Sequence, residues 1–288
     1  MSDYTVLLPL DGDKVSEDAL LVLPMLRSIG FAKLRIICVD DPKTDKTPTA
    51  EGFKPYVEAQ VAAATAAGWQ VESIIATGDP ATTILAAAGN SDVDLILLAT
   101  HGRTGIKRMR LGSVSDKLIK NALCPRLVVG PNVDIDMTTY SLKRILVPLG
   151  GSDLSAMSLP IARHLAGLTG ASVDLLQSVT PPVSTAEIPS DYPALLHAAG
   201  EYLARIATEF PGVDVKTYVV GTAPGGAILE HLNANPVDLV IMASRGRTGL
   251  SRAACGGVTE KVLQGPDPVL VFEIGEDRSR LFDAARSA

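Results

Sequence analysis

The amino-acid sequence predicts an α/β protein with two doubly wound domains, each a parallel sheet covered by helices on both faces. Three observations predict this class. First, the 288 residues are 47% hydrophobic and only 20% charged, which is enough apolar material for two cores. Second, short apolar runs rich in Val, Ile and Leu alternate with Ala- and Leu-rich helical stretches. Third, the second half of the chain repeats the first.

The repeat is visible at both ends of each half. The run TVLLPLDGDKVSEDAL is similar to RILVPLGGSDLSAMSL, with Pro9 aligned to Pro148. The run THGRTGIKRMRLGSVSDKL is similar to SRGRTGLSRAACGGVTEKV. We therefore predict a duplicated domain, with one copy at 1–132, the other at 142–275, and a tail at 276–288 whose role the sequence leaves open.

The predicted elements alternate in the same way in each half. In the first half, strands are predicted at Thr5–Leu10, Leu34–Val39, Gln70–Ala76, Leu95–Ala99 and Arg126–Val129. Helical patterns lie between them near Ser16–Ile29, Pro55–Ala67, Ala81–Ala88 and Val114–Ala122. In the second half, strands are predicted to begin near Arg144, Ser172, Val213, Leu239 and Val269. Continuous apolar strands separated by helices are typical of a parallel sheet that is buried on both faces.

Helix boundaries are predicted from capping residues and prolines. Ser16, which two acidic residues follow, predicts a helix start, as Ser155 does in the second copy. Gly30 predicts a helix stop. Pro24 and Pro160 fall inside the first helix of their halves, so we expect them to kink it.

Composition excludes several classes of protein. A formal net charge of −6 argues against nucleic-acid binding, which needs a basic face. The three cysteines are widely spaced, which indicates no disulfide framework and no metal site and favours a reducing compartment. The N-terminus lacks a basic leader with an apolar core, and no apolar run is long enough for a membrane span. We expect a cytoplasmic protein.

Two glycine-bearing loops are expected to meet at the carboxyl edge of the first sheet: PLDGD after the first strand and THGRTG after the fourth. Nine residues after Gly102, the pair Gly112-Ser113 opens a helix whose N-terminus attracts phosphate, and Ser113 and Ser115 would add hydroxyl donors. Asp11 would accept hydrogen bonds from a nucleoside. A helix cap and an Asp-Gly turn explain the same residues without a ligand.

Together, the spacing Gly102-x9-Gly112-Ser113 and the runs LLATHGRTG, VLLPLDGDKVSEDAL and CPRLVVGP resemble the universal stress protein family. The resemblance covers essentially the whole chain, once per half. It implies five-stranded parallel domains with strand order 3-2-1-4-5, which pair with each other through their last strands. It also implies a stress-response protein that binds ATP or a related adenine nucleotide and acts as a nucleotide-dependent regulator.

Carried over to this sequence, the resemblance implies a nucleotide site in the N-terminal half. The implied contacts are Pro9, Leu10, Asp11, Val39, Leu98, Ala99, His101, Gly102, Gly112, Ser113, Val114 and Ser115. Asp11 would meet the adenine and ribose, and Val39 would flank the base. The glycines and serines would hold the phosphates, with any Mg²⁺ carried mainly by the phosphates and water. Ala99 departs from the family pattern, which has its first glycine there.

The second half departs further from the pattern. Gly150 replaces Asp11, and Gly257 replaces Ser113. Each lost contact is worth on the order of 1–3 kcal/mol. Because about 1.4 kcal/mol is tenfold in affinity, we expect the second site to be weaker by tens-fold or more, although its glycine-rich loops leave a different anion open.

Other functions stay open at this point. One is a stress-response interaction module that never binds nucleotide. Another is an adenylating enzyme of the ATP pyrophosphatase type, because LGGSDLS is similar to its phosphate loop except that Leu149 and Leu154 replace the serines. No catalytic set is locatable, so slow ATP hydrolysis is the most that we expect, and no P-loop motif exists. The protein partner and any homodimer are not readable.

Overall fold

The computed structural model describes residues 4–44, 48–90, 92–100, 112–130, 141–181, 190–244, 257–263 and 269–273. The strands are β1 (Tyr4–Pro9), β2 (Phe31–Asp40), β3 (Gln70–Thr77), β4 (Leu95–Ala99), β5 (Arg126–Val129), β6 (Arg144–Leu149), β7 (Ser172–Ser178), β8 (Val215–Val220), β9 (Leu239–Ser244) and β10 (Val269–Glu273). The helices are α1 (Lys14–Glu17), α2 (Leu23–Ser28), α3 (Ala50–Ala66), α4 (Pro80–Ala88), α5 (Ser113–Asn121), α6 (Asp153–Ala156), α7 (Leu159–Thr169), α8 (Tyr192–Ala207), α9 (Pro224–Ala234) and α10 (Gly257–Val262). The predicted tail at 276–288 lies outside the described residues.

All of these strands belong to one ten-stranded sheet with the order β3-β2-β1-β4-β5-β10-β9-β6-β7-β8. Within each half the strands are parallel, and the order is 3-2-1-4-5 in the first half and the same in the second. The predicted fold class and strand order are confirmed.

The two halves join through their last strands, as predicted. Strand β10 pairs antiparallel with β5, and Leu270 lies opposite Leu127. Each half thereby satisfies the edge of the other, which would otherwise present unpaired backbone groups. The duplication therefore produces a pseudo-dimer within one chain.

The sheet is buried on both faces because side chains alternate along each strand. In β1, Val6 and Leu8 pack on the face covered by α2, α3, α7 and α8, while Leu7 packs on the face covered by α4, α5 and α9. All three are 0% exposed. This double burial is why the strands read as continuous apolar runs rather than as an alternating pattern.

An aspartate ties the sheet together at the same place in each half, buried at Asp94 and partly exposed at Asp238. Asp94 Oδ2 accepts a hydrogen bond from the backbone N–H of Thr5 at 2.8 Å. Its repeat, Asp238, accepts from the N–H groups of Lys143 and Arg144, each at 2.8 Å. The Val-Asp pair before the fourth strand of each half thus holds the start of the first strand.

The first helix of each half is broken, not kinked as predicted. The predicted helix near Ser16–Ile29 consists of α1, a 3₁₀ segment at Asp18–Val22, and α2. Pro24 lies in the first turn of α2, and Pro160 lies in the first turn of α7. A proline lacks the N–H that an interior position would use but loses nothing in a first turn, so a new helix begins one residue before each proline, at Leu23 and at Leu159.

Both predicted helix starts were also wrong by three residues. Asp13 caps α1 by accepting a hydrogen bond from Val15 N, while the hydroxyl of Ser16 donates to Asp13 O at 2.8 Å. In the second half, Ser152 caps α6 and accepts from Ser155 N. Two good capping residues stand three apart in each loop, and the turn that follows the strand selects the earlier one.

Other boundaries shift by a few residues. Helix α3 begins at Ala50 rather than near Pro55, because the hydroxyl of Thr49 accepts from Gly52 N at 3.2 Å and caps it. Strand β8 begins at Val215 rather than at 213. The predicted stop at Gly30 is confirmed, since this residue follows α2 with a φ of +100° that only glycine adopts readily.

Candidate functional site

A cavity of about 330 Å³ lies at the carboxyl ends of β1, β2 and β4, against the first turns of α4 and α5. It lies at the point where the strand order of the first half reverses, which is where doubly wound sheets bind ligands. We call it the N-terminal cavity. Its lining residues are Pro9, Leu10, Asp11, Ser16, Ile37, Val39, Pro80, Ile84, Leu98, Ala99, Gly112, Ser113, Val114, Ser115 and Leu118.

The structure brings most of the predicted site residues to this one cavity. The set comprises Pro9, Leu10, Asp11, Val39, Leu98, Ala99, Gly112, Ser113, Val114 and Ser115. His101 and Gly102 lie outside the described residues. That any of these residues contacts a nucleotide stays a prediction.

Sequence reasoning missed five of the lining residues. They are Ser16, Ile37, Pro80, Ile84 and Leu118. Two of them had a periodic signal, since Ile37 precedes Val39 by two strand residues and Leu118 follows Val114 by one helical turn. No sequence pattern indicated that Pro80 and Ile84 of α4 would line the cavity, because this depends on how the helix packs on the sheet.

The loop after β1 presents a carboxylate to the cavity. Asp11 is exposed, and its Oδ1 accepts a hydrogen bond from Asp13 N at 3.0 Å. Its own N–H donates to Ser16 Oγ at 3.4 Å. Gly12 has a φ of +83°, so glycine is needed for the chain to turn there. The turn holds Asp11 at the mouth of the cavity.

Cys38 lies at the end of β2, between the cavity-lining residues Ile37 and Val39, and is 0% exposed. Burial, with a smaller contribution from the negative charge of Asp11, raises the pKa of this thiol to about 12. Its ordinary pKa is 9.0. Between pH 9.0 and about 12, the folded protein therefore keeps this thiol protonated, whereas the unfolded chain loses the proton. The stability that the neutral thiol contributes is complete below pH 9.0 and is lost as the pH rises towards about 12.

We expect Cys38 in the folded protein to resist alkylation by iodoacetamide at about pH 8, because the reactive thiolate is scarce and the side chain is buried. Mass spectrometry of the peptide that contains Cys38 measures this directly. The same peptide labelled in urea is the control and should react fully. Equal labelling rates in the folded and unfolded protein would contradict the prediction.

The N-terminus of α5 forms the other polar side of the cavity. Its cap residue is Gly112, which has no side chain to bond the first helical N–H groups. Those groups have no partner within the helix. Ser113 is exposed, and Ser115 Oγ donates to Ala99 O at 3.4 Å, which holds the helix against the end of β4. Backbone donors and the positive end of the helix dipole thus face the cavity.

Helix α4 closes the cavity on its third side. Asp79 caps this helix by accepting hydrogen bonds from the N–H and hydroxyl of Thr82, at 2.9 and 2.6 Å. These bonds, with a smaller contribution from Lys117, lower the pKa of Asp79. Lys117 Nζ lies 3.9 Å from Asp79 Oδ2, so α5 and α4 approach each other beside the cavity.

The cavity is apolar at one end and polar at the other. The apolar end consists of Ile37, Val39, Ile84, Leu98 and Leu118, which are each at most 5% exposed. The polar end is the first turn of α5, and the Asp11 carboxylate lies at the mouth, in the loop after β1. This arrangement suits a ligand that joins a flat apolar part to an anionic part.

Two further findings bear on the class of protein. Within the residues that the structure describes, no three His, Cys, Asp or Glu side chains lie together in a way that could hold a metal ion. In the same part of the chain, no helix is long and apolar enough to span a membrane.

Comparison with known proteins gives consistent matches. The model of the universal stress protein family matches residues 4–130 and again residues 141–273. A universal stress protein of Mycobacterium tuberculosis strain H37Rv is 27% identical over 207 residues, which cover 70% of this chain and 68% of that protein.

Solved structures show the same fold along the whole chain. A universal stress protein from Archaeoglobus fulgidus matches with a TM-score of 0.73 at 21% identity, over 94% of this chain and 98% of that one. A putative universal stress protein from Pseudomonas aeruginosa matches with a TM-score of 0.67 at 18% identity, over 99% and 98% of the two chains.

Proposed function

This chain belongs to the universal stress protein family, as a member with two tandem copies of the domain, and on that premise we propose that its N-terminal cavity binds ATP or a related adenine nucleotide. The single observation that carries the proposal is the arrangement of this cavity, in which an apolar slot leads to an uncapped helix N-terminus. Family members are stress-response proteins, and we propose that this one acts as a nucleotide-dependent regulator in the cytoplasm.

The apolar end of the cavity fits the base. Val39 and Ile37 from β2 and Ile84 from α4 offer flat aliphatic surface at the depth of the strand ends. Asp11 at the mouth supplies a carboxylate that accepts hydrogen bonds from ribose hydroxyls or an exocyclic amine. The volume of about 330 Å³ is at the lower end of the range for small-molecule sites.

The polar end of the cavity fits the phosphates. The free N–H groups at the start of α5 point at an anion placed beyond Gly112, and the helix dipole favours its negative charge. The Ser113 hydroxyl adds a donor, which is worth roughly 1.5–3 kcal/mol to a charged acceptor. A Mg²⁺ ion that arrives with the nucleotide would be held mainly by the phosphates and water.

Calorimetric titration of ATP into four proteins tests the proposal. We expect the wild type to bind, and Asp11→Ala and Ser113→Ala each to weaken binding by about 10- to 100-fold, because each removes one contact worth about 1–3 kcal/mol. The matched control is Asp153→Ala, which removes an exposed carboxylate from the first residue of α6, just after the loop that follows the first strand of the second half. It should bind as the wild type does.

Equal affinity in all four proteins would contradict the site assignment. Parallel titrations with ADP and AMP rank the phosphate chain length that the site prefers. Absence of binding by any adenine nucleotide would favour the alternative proposal, an interaction module that works without a ligand, since Ala99 stands where the family has its first glycine. Pyrophosphate release with a co-substrate would instead favour an adenylating enzyme.

A further inference from the structure

The Asp11 carboxylate takes its position from the short helix α1. Asp11 Oδ1 accepts a hydrogen bond from the N–H of Asp13, which is the N-cap residue of α1. The N–H of Asp11 donates to Oγ of Ser16, which lies within α1. Both hydrogen bonds join the residue at the mouth of the N-terminal cavity to α1 or to its cap. The position of α1 therefore determines where the carboxylate lies.

Helix α1 cannot hold that position by itself. It has four residues, Lys14–Glu17, and none of them is buried. A single helical turn is marginal in water, because its formation fixes several residues in return for one hydrogen bond. A 3₁₀ segment at Asp18–Val22 follows directly, and such segments are often hinges. Contacts with another element must therefore fix α1.

The last residue of α1 makes such a contact with α3. Glu17 Oε1 accepts a hydrogen bond from Nε2 of Gln60 at 3.3 Å, although the two residues are 43 positions apart in the chain. The hydroxyl of Tyr56, about one helical turn earlier on α3, is buried. Its pKa is raised, first by burial and then by the negative charge of Glu17. Two polar side chains of α3 thus lie close to one carboxylate of α1.

Helix α3 is long enough to support the loop. It has 17 residues and buries three of them in the core. A Cβ atom built on Gly12 would lie 3.7 Å from Pro48 Cγ and 3.9 Å from Phe53 Cε1, so the loop after β1 also lies against the start of α3. The segment that carries Asp11 is therefore held against α3 at two places, by packing at Gly12 and by a hydrogen bond at Glu17.

The second half fixes the equivalent helix with apolar groups. Helix α6 also has four residues, but it ends at Ala156, where α1 ends at Glu17. Ala156 and the following Met157 pack against the core. The residue aligned with Asp11 is Gly150, so this loop has no carboxylate to place at that position. The glutamate thus stands in the half whose loop carries the aspartate.

From these contacts we propose that Glu17 is a positioning residue of the N-terminal cavity. It fastens α1 to α3, and α1 in turn holds the carboxylate of Asp11 at the mouth. Glu17 is not among the residues that line the cavity, so it acts on a ligand through Asp11. The inference rests on the proposed function, because nucleotide binding at Asp11 is what this positioning serves.

A double-mutant cycle tests this role by calorimetric titration with ATP. We expect Glu17→Ala and Gln60→Ala each to weaken binding by about 3- to 10-fold, the usual value of one hydrogen bond. Alanine is the best helix former, so the substitution does not weaken α1 itself. In an Asp11→Ala background, Glu17→Ala should weaken binding by no more than about twofold further, because the two residues act as a unit. Glu17→Gln keeps an oxygen that accepts from Gln60 and should bind nearly as the wild type does.

General damage to the fold would give a different pattern, because it would lower the affinity to the same extent with and without Asp11. An equal effect of Glu17→Ala in both backgrounds therefore overturns the proposal, as does wild-type affinity in Glu17→Ala. The matched control is Glu58→Ala, which removes an exposed carboxylate from α3 and should bind as the wild type does.

Hydrogen exchange without nucleotide distinguishes a failure of this inference from a failure of the proposed function. In the peptide that covers residues 10–17, we expect faster amide exchange in Glu17→Ala and Gln60→Ala than in the wild type, and no change in Glu58→Ala. Unchanged exchange in Glu17→Ala overturns the inference. A wild type that binds no nucleotide, or an Asp11→Ala variant with wild-type affinity, overturns the proposed function instead, and the exchange rates still decide whether Glu17 fixes the loop.

Discussion

Replacing Ser113 with glutamate will abolish nucleotide binding without destabilising the protein. Ser113 is the first residue of α5 and is exposed at the polar end of the N-terminal cavity. A carboxylate there lies where the phosphates are proposed to bind, and two unit charges 4 Å apart repel by about 4 kcal/mol at an effective dielectric constant of 20. Because about 1.4 kcal/mol is tenfold in affinity, we expect a loss of at least about 100-fold in a calorimetric titration with ATP.

The stability of the same variant separates a lost ligand from a damaged fold. A negative charge near a helix N-terminus is favourable by about 0.3–1 kcal/mol, so the free energy of unfolding should be unchanged or slightly higher in urea titrations. The matched control is Gly257→Glu, which places the same charge at the start of α10 and should leave ATP binding intact. Binding within tenfold of the wild type would show that the start of α5 does not hold the phosphates.

Replacing His231 with alanine will lower the free energy of unfolding by about 3–5 kcal/mol, because it leaves a buried carboxylate without its main partner. His231 Nε2 lies 2.9 Å from Asp174 Oδ2, and the two side chains are 5% and 1% exposed. Arg144 Nη1 lies 3.9 Å from the same oxygen and compensates only in part. The ring of Tyr218 packs edge-on against the imidazole with the centroids 4.5 Å apart, and this contact is also lost.

Two controls make the effect specific. His197→Ala removes a histidine whose side chain is 75% exposed, and it should change the free energy of unfolding by no more than about 0.5 kcal/mol. The double variant Asp174→Leu with His231→Leu removes both partners and should be less destabilised than His231→Ala, because no unpaired charge stays buried. Urea unfolding measures all three. A cost for His231→Ala that equals the cost for His197→Ala would show that the pair does not stabilise the second half.

Much of the fold could be predicted because its strands are buried on both faces. The predicted bounds of β4 and β5 agree with the structure, since a parallel strand between two helical layers is a short apolar run with clear ends. Helix α5 was predicted to within one residue, because its apolar positions recur at helical spacing after a glycine. The pairing of the halves through β5 and β10 followed from the family resemblance.

Helix starts were less predictable because several residues compete to cap each helix. Asp13 and Ser16 are both good caps, and the structure uses Asp13 for the cap and Ser16 as a donor to it. For α3, the sequence offers Pro55 as a helix start, but Thr49 caps a helix that begins at Ala50, about one and a half turns earlier. Small differences in local free energy decide which residue caps the helix, and the path of the chain after each strand contributes to those differences.

For the candidate site, the contribution of the loops after β1 and β4 could be predicted, whereas the contribution of α4 could not. Asp11 stands in a glycine-bearing loop, and Ser113 begins α5 directly after Gly112, at spacings that are visible in the sequence. Ile84 and Pro80 line the same cavity only because α4 packs across the end of β2, and no pattern in their own sequence indicates that contact.

The repeated order of residues alone established the duplication, the alternation of strands and helices, and the loops that carry polar groups. Only the folded chain revealed that His231 meets Asp174 across 57 residues, and that Ser178 bonds the turn before α9. The physical reason is the distance along the chain between the residues that determine each feature. Strand burial, helix periodicity and turn formation depend on neighbouring residues. The pairing of two buried groups, or a bond between a strand end and a distant turn, depends on how distant elements pack, and neither segment alone determines that packing.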